Sequence, residues 1–392
     1  MKFNFEEVVD RNDTGCLKYD GRGIFSKGKD QIPLWIADMD LLSPPCVNEA
    51  FKKRMEHSLY GYNYASDSYY ESIVLWMKNQ HDYIVEKEEI CPFPGVVPAL
   101  ALLYRAYLSD GECIMVQEPG YGPFRSIADQ ANYRVINTPL INNNGYYTMD
   151  YVKIEENIKK ENVKIFTLCN PHNPVGRVWT KDELSKLASI CIKYNVIIIS
   201  DEIHADLVFK PNKHIPLPLI SNDIAEACVV CTAPTKAFNL AGMKVSNIII
   251  KNKELREKFK EECERYDLVS LHTFSYVACE SVYREGKEWL EQLLDHISSN
   301  YDLLEEFLRA YPNVRFKRAE ATYLAWFDVS DLGYSLEELK KRFEDNKLWV
   351  EFQDDFNDQS GRLFFRMNIA ISKTKLKEVL KHLSGVFKKE KK

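Results

Sequence analysis

The sequence predicts an α/β fold organised around a mostly parallel sheet, and two observations indicate it. The first is the stretch 195–200 (NVIIIS), a run of β-branched apolar residues that ends at Ser200 and Asp201. A run without polar alternation is typical of a strand buried on both faces, as in a parallel sheet. The second is an earlier apolar run, 164–168, that leads through a helical stretch into this strand. That order is the βαβ pattern of parallel sheets.

The elements of the first half follow from periodicity and turn residues. An irregular arm ends at Pro44 and Pro45, and Thr180 with Glu183 forms a capping-box pattern before the helix that precedes the central strand. Gly95 predicts a turn that opens another helix. Apolar spacing predicts two early helices and three further strands. These are helices at residues 47–55 and 68–80, and strands at 113–117, 228–232 and 246–251.

The second half changes character at about residue 286, where leucines at helical spacing predict one long helix over residues 289–308. The same patterns predict strands at 321–329 and 362–370, a helix at 335–346, and an amphipathic tail helix at 374–392. A chain of 392 residues exceeds the roughly 250–300 at which one core stops growing. We therefore expect an arm at 1–45 that joins the small domain, a large domain at 46–285 and a small domain at 286–392.

Composition excludes several classes of function. The net charge of -6 gives no reason to expect nucleic acid or an anionic membrane as a partner. The N-terminus lacks the apolar core of a signal peptide, and no apolar run is long enough to cross a bilayer. The ten cysteines are scattered, which is typical of reduced cytoplasmic thiols. Cys228 and Cys231 have metal spacing, but no second pair accompanies them, so we expect core packing.

Lys236 follows the 228–232 strand among small and apolar residues, where lysines are seldom found. Partial removal from water lowers the pKa of a lysine and makes its amine a usable nucleophile and base. Ligands of α/β sheets bind outside the carboxyl ends of the strands, where Asp201 and His204 are also expected. Alone, Asp201 is equally typical of a helix cap, His204 of a structural histidine and Arg366 of a strand-edge charge.

Three loops add candidate contacts to a ligand. Gly95 allows close approach of the backbone, and the helix start that follows at Val96 and Val97 offers free N–H groups to an anion. Tyr121 is expected at the end of the 113–117 strand, where its ring can stack on a flat ligand. Two Asn-Pro steps around Asn173 predict a rigid loop with outward side-chain amides.

Two stretches leave alternatives open. Ala37, flanked by Asp38 and close to Asp40, suggests a close backbone approach, although the composition alone is typical of a solvated loop. Residues 60–64 form an aromatic turn in which Tyr62 can present its hydroxyl to an anion. A packed aromatic cluster is also consistent with that turn.

In this order, the stretches resemble the fold-type I enzymes that use pyridoxal 5'-phosphate (PLP), and locally the MalY/PatB-like cystathionine β-lyases, or C–S lyases. The resemblance covers nearly the whole chain. It implies an aspartate aminotransferase-like fold, with a mostly parallel seven-stranded sheet in a large domain and a smaller α/β domain. The matching stretches are 4–11 (NFEEVVDR), 37–40 (ADMD), 60–62 (YGY), 173–176 (NPVG), 200–204 (SDEIH) and 234–239 (PTKAFN).

The resemblance assigns roles around the cofactor ring. Lys236 forms the Schiff base with PLP, and Asp201 pairs with the ring nitrogen, so that the ring withdraws electrons. Asn173 and His204 lie near the ring oxygen, and Tyr121 stacks on the ring. Lys236, Asp201 and Tyr121 are thus the expected catalytic residues.

The resemblance also assigns the phosphate and the substrate. Backbone N–H groups at Gly95, Val96 and Val97 bind the phosphate. Arg366 clamps the substrate carboxylate with its fork of donors, near Ala37 and Asn173. Tyr62 reaches the phosphate of a neighbouring subunit, which implies a homodimer.

The chain departs from the family pattern at the lysine loop. Ala233 and Thr235 stand where many relatives have serine, so a phosphate contact from Thr235 is an open question. Lys244 stands where related enzymes place an arginine on the phosphate. That role and simple solvation both remain open for Lys244.

The activity that the resemblance implies is cytoplasmic β-elimination, in amino-acid metabolism such as methionine biosynthesis. Cystathionine or a related cysteine S-conjugate would give pyruvate, ammonia and a thiol. A class I or II aminotransferase needs the same Lys236, Asp201 and Arg366, and a PLP-containing regulatory protein acting through a partner surface is a further alternative. The preferred thioether depends on the shape of the pocket, which includes loops near residues 26–32 and 353–360. Sequence patterns do not predict the conformation of these loops.

Overall fold

The structure is a computed structural model that describes residues 2–388. The Lys-rich end of the predicted tail, residues 389–392, lies outside the described residues. The strands are β1 Ile32–Pro33, β2 Ile90–Phe93, β3 Cys113–Glu118, β4 Arg134–Pro139, β5 Ile141–Asn143, β6 Tyr146–Thr148, β7 Val163–Cys169, β8 Ile197–Asp201, β9 Cys228–Thr232, β10 Ser246–Ile249, β11 Arg315–Phe316, β12 Leu324–Asp328, β13 Leu348–Trp349, β14 Glu351–Phe352 and β15 Phe364–Asn368.

The helices form the layers that pack against the sheets. They are α1 Leu17–Asp20, α2 Pro45–Glu56, α3 Asp67–His81, α4 Val96–Tyr107, α5 Gly122–Gln130, α6 Tyr151–Glu161, α7 Lys181–Lys193, α8 Asn222–Glu226, α9 Lys253–Arg265, α10 Thr273–Glu285, α11 Lys287–Leu308, α12 Leu336–Asp345 and α13 Lys373–Phe387. In residues 2–388, no helix combines the length and the apolar character that crossing a bilayer requires.

The large sheet has seven strands in the order β2-β10-β9-β8-β7-β3-β4. Neighbours from β4 to β9 are parallel, whereas β10 is antiparallel to both β9 and β2. The prediction of a mostly parallel sheet is confirmed. The register places Cys169, Asp201 and Cys231 opposite one another, so the carboxyl ends of β7, β8 and β9 lie side by side. Apolar side chains fill both faces of this sheet.

The small sheet has four antiparallel strands in the order β11-β12-β15-β14. Helix α11 runs unbroken over 22 residues, as the leucine spacing predicts. It packs in one apolar cluster with α13 and the strands β12 and β15. The arm is tied to this part of the molecule because β1 pairs in parallel with β13. The domain limits at residues 45/46 and 285/286 stay predictions.

Several predicted elements differ from the observed ones at their ends. The strand predicted at 321–329 begins only at Leu324, because Thr322 has a φ of 73° and Ala321 forms an isolated bridge to Val208. Pro45 begins α2 rather than ending the arm, since its missing N–H is not needed in a first helical turn. The capping box is confirmed: Thr180 Oγ1 accepts from Glu183 N at 3.2 Å, and Glu183 Oε2 accepts from Thr180 N at 2.8 Å.

Cysteine packing also follows the sequence. Cys228 and Cys231 lie in β9, both are buried and neither forms a disulfide. The prediction that this pair packs in the core is confirmed.

An ion-pair cluster joins the loop after β7 to the second half of the chain. Arg177 is 3% exposed. Its Nε donates to Glu320 Oε2 at 2.9 Å, and its Nη2 donates to Glu183 Oε2 at 2.9 Å. A third N–H group of Arg177 donates to the backbone oxygen of Tyr147. One guanidinium therefore holds three segments that are far apart in sequence.

We predict that Arg177→Ala lowers the free energy of unfolding by about 3 kcal/mol, because it leaves two carboxylates without their cation. The value lies at the low end for a buried pair, since the two glutamates keep side-chain exposures of 16% and 22%. Urea unfolding of the purified protein measures the change. Arg265→Ala is the matched control: its side chain is 61% exposed, so we expect a change within about 0.5 kcal/mol.

Candidate active site

Lys236 lies in the loop that follows β9, at the carboxyl edge of the large sheet. Its side chain is half-buried, and Nζ donates to the backbone oxygen of Ala37 at 2.8 Å. Burial, followed by the positive charge of Arg366, lowers the pKa of Lys236 to about 8. Near pH 7 roughly a tenth of this amine is therefore unprotonated, far more than of an exposed lysine, as the sequence predicts for a base and nucleophile.

Asp201 is the last residue of β8 and is 5% exposed. One carboxylate oxygen accepts from the backbone N of Ile203 at 3.1 Å. Burial raises the pKa of Asp201 to about 7, and the nearby Lys236 opposes this effect. A buried acid in this state is stabilised as a carboxylate by any further cation placed beside it.

The segment around Ala37 is fixed by buried polar contacts. Arg11 Nη2 donates to Asp38 Oδ2 at 2.8 Å, and Arg11 Nη1 donates to Asp40 Oδ1 at 3.0 Å. Lys18, fully buried, donates from Nζ to the same Asp40 oxygen at 2.9 Å. The expectation of a solvated loop at residues 37–40 is therefore wrong, because these carboxylates balance two cations inside the arm.

Two asparagines fix the same segment from the other side. Asn239 Nδ2 donates to the backbone oxygens of Met39 at 3.1 Å and Leu41 at 2.8 Å. Asn368 Nδ2 donates to the backbone oxygens of Ile36 at 2.8 Å and Asp38 at 2.9 Å. The segment that contains the Ala37 oxygen, the acceptor for Lys236, is thus fixed by Asn239 and Asn368. These asparagines lie close in sequence to Lys236 and to Arg366, respectively.

Arg366 lies in β15, an inner strand of the small sheet, and is 3% exposed. Its reading as a strand-edge charge is wrong, because β12 and β14 flank it on both sides. Nη1 donates to Asn173 Oδ1 at 2.9 Å, and Nη2 donates to the backbone oxygen of Trp35 at 2.8 Å. Nη2 also forms an ion pair with Glu351. Asn173 thereby connects the amide loop after β7 to the arginine.

Two histidines near this edge are neutral. Burial lowers the pKa of His204 to about 3, helped by the charges of Lys236 and Arg366. Burial likewise lowers the pKa of His172 to about 3. In both rings Nδ1 is buried without a hydrogen-bond partner among the described residues. Such atoms are rare in folded proteins, and a bound ligand is one way to satisfy them.

Two further predicted contacts to a ligand are the Tyr121 ring and the start of α4. Tyr121 directly precedes α5 as its N-cap residue. Burial raises the pKa of Tyr121 to about 12, and the charges of Asp201 and Arg366 also influence it. Gly95 precedes α4 with a φ of 111°, a conformation that favours glycine. The first N–H groups of α4, at Val96 and Val97, have no partner within the helix.

Three predicted residues differ in exposure. Thr235 is buried beside Lys236, whereas Lys244 is exposed. Tyr62 is fully exposed in the single chain, whereas Tyr60 of the same turn lies 6.3 Å from the ring of Phe274 between centroids, so only part of the turn joins an aromatic cluster. The roles of all these residues remain predictions.

The residues present fit PLP. Its aldehyde requires an amine of lowered pKa, its ring nitrogen an acid, and its phosphate the N–H groups of a helix start; Lys236, Asp201 and α4 supply these. The Nδ1 atom of buried His204, which has no hydrogen-bond partner among the described residues, is a polar atom that a bound ring could satisfy. Within residues 2–388, no group of three or more His, Cys, Asp or Glu side chains is arranged to hold a metal ion.

Comparison with known proteins agrees with this geometry. The family model for aminotransferase class I and II matches residues 29–383. The chain belongs to the class I and II aminotransferase family. Cystathionine beta-lyase PatB of Bacillus subtilis (strain 168) is 35% identical over 384 residues, which cover 97% of this chain and 99% of that protein.

Two crystal structures have the same fold as this family member along their whole length. A PLP-bound putative aminotransferase from Clostridium difficile 630 has a TM-score of 0.96 and 39% identity, covering 99% of this chain and 100% of that one. The PLP-bound C-S lyase from Staphylococcus hominis has a TM-score of 0.92 and 31% identity, covering 99% of both chains. The predicted fold and family resemblance are confirmed.

Sequence reasoning missed several residues that shape the site of this family member. Glu351 is the one charged residue of an apolar stretch, 348–352 (LWVEF), and no local signal marks its partner. Arg11 lies in a matching stretch, 4–11, whose meaning becomes clear only from its contacts with Asp38 and Asp40. Asn239 and Asn368 follow Lys236 and Arg366 closely in sequence, and this was the available signal.

Proposed function

We propose that the protein is a PLP-dependent carbon–sulfur β-lyase that acts on cystathionine or related cysteine S-conjugates. The observation that carries the proposal is the half-buried Lys236 amine, with a pKa of about 8, at the sheet edge that also holds Asp201. The similarity to a cystathionine beta-lyase and to a C-S lyase supports the class of reaction.

PLP, when bound, supplies a positively charged ring that withdraws electrons from the α-carbon of an amino acid. Asp201 keeps the ring nitrogen charged, since a buried carboxylate and a cation stabilise each other. Tyr121, Asn173 and His204 would hold the ring, and the backbone at Gly95, Val96 and Val97 would hold the phosphate. In this proposal Thr235 also faces the phosphate, and Lys244 adds its charge from the surface.

Arg366 and Lys236 act on the amino acid itself. Arg366 binds the α-carboxylate, beside the Asn173 amide and the Ala37 backbone. Lys236 takes the α-proton, a general-base step for which a pKa near the working pH is favourable. The bond between the β-carbon and sulfur breaks, and the sulfur leaves as a thiolate that gains a proton. With one water, the remaining three-carbon fragment gives pyruvate and ammonia.

Incubation with cystathionine is expected to release equal amounts of pyruvate, ammonia and thiol without any added keto acid. Coupled pyruvate measurement and thiol titration follow the reaction. Cysteine and a series of S-alkyl cysteines in the same assay rank the substrates. Turnover that required a keto acid and yielded a new amino acid would contradict the lyase proposal.

An aminotransferase is the second candidate, favoured by the name of the matching family and by the putative aminotransferase of similar structure. It needs the same lysine, acid and arginine, so the site geometry serves both reactions. The ratio of pyruvate to transamination product, measured with and without keto acid, separates the two.

The proposed working form is a homodimer in the cytoplasm. Tyr62 and Tyr64 are exposed by 111% and 83% in the single chain, and Leu59 by 71%. Aromatic side chains left in water at a chain bend are typical of an interface. In the dimer, Tyr62 reaches the phosphate of the neighbouring subunit. The cysteines, none of them in a disulfide, suit a reducing compartment.

A further inference from the structure

Glu351 forms an ion pair with Arg366, the arginine that is proposed to bind the substrate. Strand β14 places Glu351 directly opposite Arg366 of β15. Side chains of residues directly opposite in an antiparallel pair lie on the same face of the sheet. The carboxylate of Glu351 thus lies against Nη2 of Arg366, as an ion pair with 23% side-chain exposure for Glu351 and 4% for Arg366.

The arrangement around Arg366 leaves no complete fork for a second carboxylate. A guanidinium can bind a carboxylate with two parallel N–H groups along the Nε–Nη2 edge or the Nη1–Nη2 edge. Both edges use Nη2, whose donors go to the Trp35 backbone oxygen and to Glu351. Nε is buried without a hydrogen-bond partner among the described residues. An incoming carboxylate therefore has to displace one of the two acceptors on Nη2.

The backbone acceptor is fixed, so Glu351 is the acceptor that yields. Leu34 N donates to the Trp349 oxygen at 2.8 Å, and Asn368 N donates to the Leu34 oxygen at 2.8 Å. The rings of Trp35 and Trp349 stack at 4.6 Å between centroids. Trp35 is held by these contacts, whereas the Glu351 carboxylate is held mainly by its charge.

We propose that Glu351 is a built-in competitor for the substrate carboxylate, and that it leaves Arg366 by taking up a proton. This inference rests on the proposed role of Arg366. Once a substrate carboxylate occupies the guanidinium, an ionised Glu351 would lose its cation and face a second negative charge. Protonation removes that repulsion and leaves the neutral acid beside the bound ligand. Glu351 is thus a positioning residue that links substrate binding to pH.

The charges around Glu351 support this linkage. Burial raises the pKa of Glu351 to about 7, Arg366 and Lys236 oppose the rise, and Asp355 adds to it. Tyr121 is also close enough for Glu351 to influence its pKa. A groove of about 690 Å³ passes Glu351 on the outer side. The charged residues along this groove are Lys27, Glu337, Lys340, Lys341, Glu344 and Asp355.

Propionate, which has a carboxylate but no amine and no sulfur, is the probe that tests the competition. Isothermal titration calorimetry of the PLP-loaded protein, in two buffers of different ionisation enthalpy, gives both the affinity and the number of protons taken up. The wild type is compared with Glu351→Gln and with the matched control Glu337→Gln. Glu337 is exposed on α12 along the same groove, and its substitution removes the same charge.

In the wild type, propionate binding should weaken about tenfold between about pH 6 and about pH 8, as expected when a group of pKa about 7 must bind a proton. Near pH 8 it should take up about one proton per propionate. Glu351→Gln should bind about tenfold more tightly than wild type near pH 8, without the extra proton uptake. Glu337→Gln should behave as the wild type does.

Equal affinity and equal proton uptake in the wild type and Glu351→Gln would overturn this inference while leaving the lyase proposal intact. Proton release on binding would also overturn it, because Glu351 would then be moving into water as an ion. Absence of propionate binding in every variant would remove Arg366 as the clamp. The proposed substrate site and this inference would then fail together.

Discussion

Lys236→Ala is expected to abolish release of pyruvate from cystathionine. The general-base step alone is worth roughly 10²–10⁴-fold in rate, and the substitution also removes the amine that holds the cofactor aldehyde. The purified variant should therefore be far less yellow than the wild type. The coupled pyruvate assay and a visible absorbance spectrum measure the two effects.

The fold should survive this substitution, since the Lys236 side chain is tied to the rest of the described residues by one hydrogen bond, from Nζ to the Ala37 oxygen. Far-ultraviolet circular dichroism checks that point. Lys258→Ala, at a side chain that is 49% exposed on α9, is the matched control and should leave the rate unchanged. Pyruvate release by Lys236→Ala at more than about a hundredth of the wild-type rate would exclude this lysine from the chemistry.

The same variant addresses a regulatory role. A protein that acted on a partner through its surface would keep that effect in Lys236→Ala, because the substitution lies at the half-buried sheet edge and not on the outer surface. Loss of the effect together with catalysis would tie regulation to the active site.

Residues at strand ends were predictable from sequence because a local rule places them. In a parallel sheet, every carboxyl end points to the same edge, so the apolar runs that precede Asn173, Asp201 and Lys236 suffice to bring the three together. The register of β7, β8 and β9 confirms this placement. The direction of β10 was not readable in the same way, since a buried strand has the same composition in either direction.

Contacts between distant segments were not predictable. The ion pair of Glu351 with Arg366 depends on the pairing of β14 with β15. A single glutamate in the apolar stretch 348–352 does not show which distant cation it will meet. The arm shows the same limit: Lys18 is fully buried, although a lysine in an irregular stretch is usually solvated. Its burial becomes intelligible only with the Asp40 carboxylate beside it.

Elements on the outside of the fold also gave weak signals. Strand β4 lies at the edge of the large sheet and begins and ends with the exposed Arg134 and Pro139. Helix α9 buries Phe259 and Cys263 but is otherwise mostly charged. With few apolar residues on one face, neither element shows the periodicity on which a prediction depends.

Asp201→Asn is the second substitution for which we expect a large effect. Asparagine has nearly the same shape, so it can keep the hydrogen bond from Ile203 N, but it cannot carry a negative charge. In the proposed site, loss of that charge would remove the counter-ion of the cofactor ring, which would then withdraw electrons less strongly. Removing one such electrostatic contact typically lowers the rate roughly 10²–10³-fold. Steady-state assays with cystathionine measure kcat and KM separately.

The conservative variant Asp201→Glu distinguishes charge from shape. It keeps a carboxylate in a site where burial already raises the pKa of Asp201 to about 7, and a cationic ring nitrogen beside it would favour the ionised form. It should therefore retain more activity than Asp201→Asn, even though its extra methylene fits the buried end of β8 less well. The loss in Asp201→Asn should fall on kcat rather than KM, because in the proposed site Arg366, and not Asp201, binds the substrate carboxylate. Equal losses in the two variants would mean that the shape of the site, and not the charge at residue 201, limits the reaction.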